Sequence, residues 1–215
     1  MNNLKPIRVI IFFSFLLFSA CENSIAPVSD IISGISTDLL PLEINNKWDY
    51  NLEIYRYNST SSTYEFFYSS KVTMKVLKFD TLATYVGFDI EHIPFWISWR
   101  PGKKVYFYKN DGLYFAESSA EITVPPSLPS EKLLLKYPTK IGETTSFNGF
   151  YISPKTKDEK ITLYSRTYNC IKYQVKSDKV IVGEIWISPK IGIVKTWQNI
   201  GVKRYYCYLN SYVLY

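Results

Sequence analysis

The stretch that decides the fold runs Tyr168-Asn-Cys-Ile-Lys-Tyr-Gln-Val-Lys-Ser-Asp-Lys-Val-Ile-Val-Gly-Glu-Ile-Trp-Ile-Ser188. Apolar and polar residues alternate on both sides of Ser177-Asp-Lys179, a segment with the composition of a tight turn. Alternation with a period of two is typical of a strand that buries one face. The stretch therefore predicts two antiparallel strands joined as a hairpin.

The side chains of this hairpin also predict its register. With Lys176 opposite Val180, the hairpin has one apolar face and one polar face. The polar face pairs Lys172 with Glu184, a cross-strand pair of opposite charge. A slip of one residue would destroy both the charge pair and the apolar face. The predicted apolar pairs are Ile171 with Ile185, Tyr173 with Gly183, and Val175 with Ile181.

The same period extends outward from the hairpin over most of the chain after residue 38. An aromatic content of 17% also favours strands. Only Glu131–Lys136 suggests a helix, which Pro138 would stop. We predict an all-β fold, an antiparallel meander of about ten strands with at most one or two short helices. The predicted strands are Lys47–Tyr57, Tyr64–Phe79, Thr84–Ile93, Lys103–Lys109, Leu113–Glu117, Lys160–Tyr164, Tyr168–Lys176, Val180–Ser188, Gly192–Gln198 and Val202–Tyr215.

Two short patterns occur twice in the chain. Pro41-x-x-Ile44 matches Pro138-x-x-Ile141, and Trp96-Ile-Ser98 matches Trp186-Ile-Ser188. Residues 39–215 are predicted to form one β-rich domain, which these patterns divide into halves at 39–124 and 138–215. Either an old duplication or chance similarity among aromatic strands explains the repeats.

The amino terminus has the layout of an export signal. Lys5 and Arg8 form a positive region, Val9–Phe18 an apolar one, and Ser19-Ala20 a small-residue cleavage site. The apolar stretch of about 14 residues is shorter than the roughly 20 needed to cross a bilayer. Residues 1–20 are therefore predicted to be a removable signal peptide.

Leu17-Phe-Ser-Ala-Cys21 resembles the lipobox of bacterial lipoproteins. The resemblance implies cleavage before Cys21, a diacylglyceryl group on its sulfur and a third acyl chain on its amine. Two or more acyl chains give stable anchoring. Residues 21–38 then form a lipidated tether that reaches about 20–25 Å as a flexible coil. The protein is expected in the cell envelope, on the outer membrane.

The charges of the chain argue against a nucleic-acid partner. Removing Lys5 and Arg8 from the 25 basic residues leaves 23 against 19 acidic ones. These charges are interspersed, as in Lys155–Lys160, and do not form a basic patch. A solvated surface explains them.

Three stretches resemble a group of uncharacterised bacterial envelope lipoproteins. The resemblance implies an antiparallel sheet curled into a half-barrel or open barrel, similar to lipoprotein-carrier (LolA-like) domains, and it brings no established activity. The stretches are Leu40–Leu42 with Asn46–Trp48 and Tyr50, then Leu134–Pro138 with Gly142, then Trp186 with Ser188–Lys195.

The sequence lacks the motifs of common enzymes and cofactor sites. His92 is the only histidine, and its spacing from Phe88 and Ile90 places it on an apolar face. A metal site would need three or four converging ligands, which no Cys/His spacing supplies. Asp89 and Glu91 are spaced like paired catalytic carboxylates, but solvation explains such pairs. We expect no enzymatic activity, no metal and no cofactor.

The ligand-binding candidates are Trp96 and Trp99, in Pro94-Phe-Trp-Ile-Ser-Trp-Arg-Pro-Gly102. Flat rings with a polar tip suit sugar stacking, lipid contact or partner docking, although both rings could instead close one end of the barrel. Three functions follow. The first is a non-catalytic lipoprotein that binds an apolar ligand or an envelope partner; the second is a glycan-binding accessory module; the third is a hydrolase.

Cys170 and Cys207 remain as thiols after acylation. The predicted meander places them on strands about three spacings, or 14 Å, apart. A disulfide needs Cα atoms within about 7 Å. We therefore predict two free thiols.

Overall fold

A computed structural model describes residues 39–82, 85–91, 103–109, 111–118, 130–147 and 149–215. Within these ranges all regular structure is strand. The strands are β1 Lys47–Asn58, β2 Thr63–Leu82, β3 Tyr85–Glu91, β4 Lys103–Lys109, β5 Gly112–Ser118, β6 Ser130–Lys136, β7 Thr145–Phe147, β8 Phe150–Leu163, β9 Arg166–Ser177, β10 Val180–Ser188, β11 Gly192–Ile200 and β12 Lys203–Val213.

The twelve strands form one antiparallel sheet in the order β6-β5-β4-β3-β2-β1-β12-β11-β10-β9-β8-β7. Strands β1–β6 and β7–β12 are each a simple meander, and the two meanders join where β1 pairs with β12. The predicted all-β antiparallel meander is confirmed, with twelve strands in place of about ten. The duplication of halves 39–124 and 138–215 stays a prediction.

The helix predicted at Glu131–Lys136 is wrong, because these residues lie in β6. Leu135 pairs with Leu113 of β5 and Leu133 pairs with Tyr114, with Leu134 as an extra residue between them. A helix of six residues is shorter than the roughly 12–15 that a helix needs to be even marginally stable alone. The leucines gain more by burial in the sheet, where Leu134 and Leu135 are 0% and 1% exposed.

The predicted register of the β9–β10 hairpin is also wrong. Asp178 adopts a φ of 53° and closes a two-residue turn, so that Ser177 pairs with Val180. A bulge at Val182 then shifts the pairing further, and Tyr173 lies opposite Ile185. Beyond the bulge, the observed pairing differs from the predicted one by two residues. Because side chains alternate between the faces of a strand, each one still lies on its predicted face. The ion pair between Lys172 and Glu184 forms diagonally, at 3.0 Å.

The sheet curls until its two ends meet, without closing into a barrel. Phe115 of β5 packs on Phe147 of β7 with ring centroids 5.2 Å apart, although nine strands lie between β5 and β7 in the sheet. The Tyr173 hydroxyl of β9 donates to the Lys136 carbonyl of β6 at 2.8 Å. The inner face of the curl carries the core. Its largest fully buried side chains include Trp48, Tyr50, Tyr173, Phe115, Met74 and Leu134.

The β8–β9 hairpin folds back over the outer face of the sheet. Tyr164, at the end of this hairpin, accepts a hydrogen bond from Asn51 of β1. Four strands lie between β8 and β1 in the sheet, about 20 Å or more at 4.8 Å per spacing, so only a folded-back hairpin can make this contact. Glu159 of β8 likewise accepts from Trp186 Nε1 at 2.8 Å. The hairpin thus covers Trp186, which is only 4% exposed although it lies on the outer face.

Candidate functional site

Most residues singled out from the sequence lie outside the described part of the chain. This holds for Cys21, His92, Trp96 and Trp99. Asp89 and Glu91 lie at alternate positions of β3. Among the described residues there is no group of three or more His, Cys, Asp and Glu side chains that could hold a metal. No described helix is long and apolar enough to span a membrane.

The predicted thiols are both present and free. Cys170 and Cys207 are buried, on β9 and β12, with β10 and β11 between them in the sheet. Burial raises the pKa of Cys170 to about 12, helped by the charge of Glu159. Burial also raises the pKa of Cys207 to about 11. Neither thiol is a nucleophile at neutral pH.

Among the described residues, the strongest surface feature is an apolar patch at the end of the β1–β2 hairpin, which we call the aromatic end. It consists of Tyr57, Phe66, Phe67 and Tyr68, together with Val202 from the neighbouring β11–β12 turn. The exposed fractions are 40%, 60%, 56%, 52% and 56% respectively. Scattered exposed hydrophobic residues are normal, but a contiguous group marks a binding surface.

Local backbone geometry explains why three successive aromatic residues are exposed. Tyr55 pairs with Phe66 and Ile54 with Tyr68, so that Phe67 is an extra residue in a β-bulge. Burial along the inner face of β1 also falls toward this end. Trp48 and Tyr50 are fully buried, Ile54 is half-buried, and the inner position beyond it is exposed. The hairpin therefore extends past the core with both faces open.

The loop that closes the hairpin is braced by hydrogen bonds. Asn58 Nδ2 donates to Glu65 Oε1 at 2.8 Å, and the backbone N–H of Thr60 donates to Asn58 Oδ1 at 2.9 Å. The Ser61 hydroxyl also donates to Glu65, at 3.0 Å. The aromatic end is therefore held in a defined shape before any partner arrives, which reduces the entropy cost of binding.

Cations lie among these rings. Lys203 Nζ is 5.6 Å from the centroid of Phe67, and the Arg204 guanidinium is 4.2 Å from that of Tyr64. Arg56 is exposed beside them and lines a shallow open cleft of about 340 Å³. The other residues along the cleft are Tyr57, Asn58, Ser59, Glu65, Phe66 and Phe67.

The aromatic end lies opposite the end where the described chain enters the sheet. Leu39 and Leu40 are buried, and Leu40 lies against Gly192 and Trp48, near the start of β1. The 12 residues of β1 span about 40 Å at 3.4 Å per residue. The hairpin end is thus held roughly this far from the point of entry.

Sequence reasoning missed this surface, although a signal was present. Phe66-Phe67-Tyr68 breaks the alternation of β2, and three successive large apolar residues cannot all face one core. Such a run predicts either a strand buried on both faces or an exposed patch. The structure shows the second outcome.

The aromatic end offers aromatic and basic groups for non-covalent binding.

No protein-family model matches the chain, and no curated protein matches it. Among solved structures, a "putative lipoprotein" from Parabacteroides distasonis is similar over 82% of this chain and 99% of that one. The identity is 15% and the TM-score 0.36. A likeness this distant assigns neither a family nor a function, and the resemblance to lipoprotein-carrier domains stays a prediction.

Proposed function

We propose that this protein is a lipid-anchored lipoprotein of the cell envelope, without catalytic activity, that binds a partner through its aromatic end. The observation that carries the proposal is the run Phe66–Tyr68, in which each side chain is more than half exposed on a braced hairpin. Because these side chains are already partly buried, a partner that covers one of them fully adds about half of the roughly 1.5–3 kcal/mol that complete burial contributes.

The anchor in this proposal is the acylated Cys21 at the outer membrane. The lipobox-like Leu17–Cys21 and the signal layout support it. In this proposal residues 21–38 are the tether between the acyl anchor and the β domain, with a reach of about 20–25 Å as a flexible coil.

An apolar ligand inside the curl of the sheet has less support. Trp48, Tyr50 and Tyr173 fill the inner face, and each is at most 1% exposed. Because protein interiors are packed to the density of organic crystals, this part of the curl has no room for a lipid chain unless the core opens.

A glycan is a second candidate partner, favoured by the cleft beside the hairpin. Its lining combines the rings of Tyr57 and Phe66 with the hydrogen-bonding groups of Arg56 and Asn58. Sugars are held by this combination of stacking and polar contacts. Affinity electrophoresis through gels that contain soluble polysaccharides tests it, with Tyr57→Ala expected to restore normal mobility.

Two experiments test the main proposal. The Cys21→Ser variant should lose acylation and leave the detergent phase in a partition assay, whereas the natural chain stays in it.

A photo-cross-linking residue at Phe67 should capture a partner in living cells. The same residue at Tyr215, which is 74% exposed at the opposite end, is the control. Equal capture from both positions would contradict a binding role for the aromatic end.

A further inference from the structure

The partner of the aromatic end can be specified from how its side chains are exposed. Phe66 lies opposite Tyr55, and Tyr68 lies opposite Ile54. Because Ile54 and Tyr55 are successive residues of one strand, Phe66 and Tyr68 point to opposite faces of the hairpin. A flat protein surface or a sugar ring covers one face only. A lipid interface surrounds a projecting hairpin on both faces.

Neighbouring hairpins present aliphatic side chains at the same end of the sheet. Strands β1, β11 and β9 run in the same direction, because one antiparallel strand lies between each of them and the next: β12 between β1 and β11, and β10 between β11 and β9. The turns that follow these strands therefore lie along one edge. Val202 is 56% exposed, Val180 is 66% exposed and Ile181 is 41% exposed. Branched aliphatic groups do not stack on sugars, but they do enter the acyl boundary of a bilayer.

Basic residues lie next to these apolar tips. Lys203 contacts Phe67, and Arg56 and Lys179 are exposed on the β1–β2 and β9–β10 hairpins. Among the described residues of the β1–β2, β9–β10 and β11–β12 turns, the acidic side chains are Glu65, which accepts hydrogen bonds within its own loop, and Asp178. Apolar tips flanked by an excess of Lys and Arg match an interface that is apolar inside and anionic at its surface.

We infer that the aromatic end binds an anionic lipid surface, as a membrane contact separate from the acyl anchor. The inference deepens the proposed function and rests on it. The apolar side chains of Phe66, Phe67 and Val202 enter the interface. Tyr68 lies at the level of the headgroups, where aromatic residues with a polar tip are enriched. Arg56 and Lys203 bind the anionic headgroups.

Vesicle sedimentation tests the inference with the mature chain, residues 21–215, carrying Cys21→Ser so that no acyl chain contributes. The chain should bind vesicles of equal parts phosphatidylcholine and phosphatidylglycerol. Arg56→Gln with Lys203→Gln should reduce binding about fivefold or more and make it less dependent on salt. Phe66→Ser with Phe67→Ser should weaken binding at least tenfold. Tyr215→Ser, at the other end, should change it less than twofold.

A rescue variant separates lipid insertion from ring stacking. Phe66→Leu with Phe67→Leu keeps apolar side chains and should retain vesicle binding, whereas a site that stacks on sugars would lose its ligand. Urea unfolding of each variant confirms that the fold is intact. The inference is overturned if the parent chain fails to sediment with these vesicles, if the leucine variant behaves like the serine variant, or if acidic polysaccharide binds in place of vesicles. If position 67 cross-links a protein and the chain does not bind vesicles, the lipid inference is wrong but the proposed function stands.

Discussion

Trp48 Nε1 donates a hydrogen bond to the backbone carbonyl of Ile191, 143 residues further along the chain. Tyr50, two residues on, donates its hydroxyl to the Ile193 carbonyl at 3.0 Å. These bonds connect β1 to the β10–β11 turn and to the first residues of β11, across the intervening strand β12. Both donors are fully buried, so each would cost about 1–3 kcal/mol if left without an acceptor. The first strand of the domain is thus joined to the last hairpins at the end where the chain enters.

Gly192, between these two acceptors, should not tolerate a side chain. Its φ is 109°, and an added Cβ would lie 2.8 Å from Leu40 Cδ1 and 3.1 Å from Trp48 Nε1. We expect Gly192→Ala to destabilise the protein by about 2–4 kcal/mol, through backbone strain and overpacking together. The measurement is urea unfolding. Gly142→Ala is the matched control, since φ is 88° there but no atom lies within 4 Å. It should cost about 1–2 kcal/mol, and equal losses at both positions would contradict the packing argument.

Glu159 should contribute to stability by accepting the indole N–H of Trp186. This indole lies between the ammonium groups of Lys172 and Lys195, each 4.8 Å from the ring centroid. Glu159→Ala leaves the buried N–H without its acceptor and should cost about 1–3 kcal/mol in urea unfolding. Glu159→Gln keeps an acceptor and should cost less than about 1 kcal/mol. Asp158→Ala, at the exposed neighbouring position, is the control. A loss for Asp158→Ala as large as that for Glu159→Ala would show that the bond is not the cause.

The sequence predicted the strands well where the alternation was regular. The predicted bounds Lys103–Lys109 and Val180–Ser188 are those of β4 and β10. The predicted strand Gly192–Gln198 begins at the same residue as β11. In each case a local pattern specifies the result.

The features that depend on tertiary neighbours could not be predicted in this way. The bulge at Val182 leaves no mark in an alternating apolar sequence, because an extra valine resembles its neighbours. The leucines of β6 fit a helix or a buried strand equally well until β5 is known to lie beside them. Exposure of Phe66 and Phe67 depends on where the sheet curls away from the hairpin, which the strand pattern does not encode.

The pair Trp96 and Trp99 remains a prediction, outside the described residues. If the two rings bind a glycan, Trp96→Ala with Trp99→Ala should abolish retention by polysaccharide gels while the urea midpoint stays unchanged. If they belong to the core, each substitution should cost about 3–5 kcal/mol and the double variant should unfold. Tyr57→Ala in parallel shows whether retention depends instead on the aromatic end.

The two buried thiols lead to a prediction about alkaline pH. Burial raises the pKa of Cys170 to about 12 and that of Cys207 to about 11 in the folded protein. An unfolded thiol has a pKa of about 8.5. Below about pH 8.5 both the folded and the unfolded thiol are protonated, and the stabilising contribution of the thiol is complete. As the pH rises toward the folded pKa, only the unfolded thiol loses its proton, so this contribution to the free energy of unfolding is lost. Between about pH 9.5 and 10.5, each thiol should therefore lower the free energy of unfolding by roughly 1.0–1.4 kcal/mol per pH unit.

Cys170→Ala with Cys207→Ala should make this alkaline decline shallower by up to about 2.7 kcal/mol per pH unit. Burial, the largest cause of the raised pKa of Tyr50, acts in both proteins and cancels in the comparison, whereas the smaller effect of the Cys207 charge on Tyr50 is lost with that thiol. In the Cys21→Ser background, a thiol reagent at pH 8 should modify no cysteine in the folded chain and two after unfolding in urea. A chain that shows no reactive thiol after unfolding, without reduction, would contain a disulfide. That result would contradict both the separation of β9 from β12 by two strands and the free thiols assigned here.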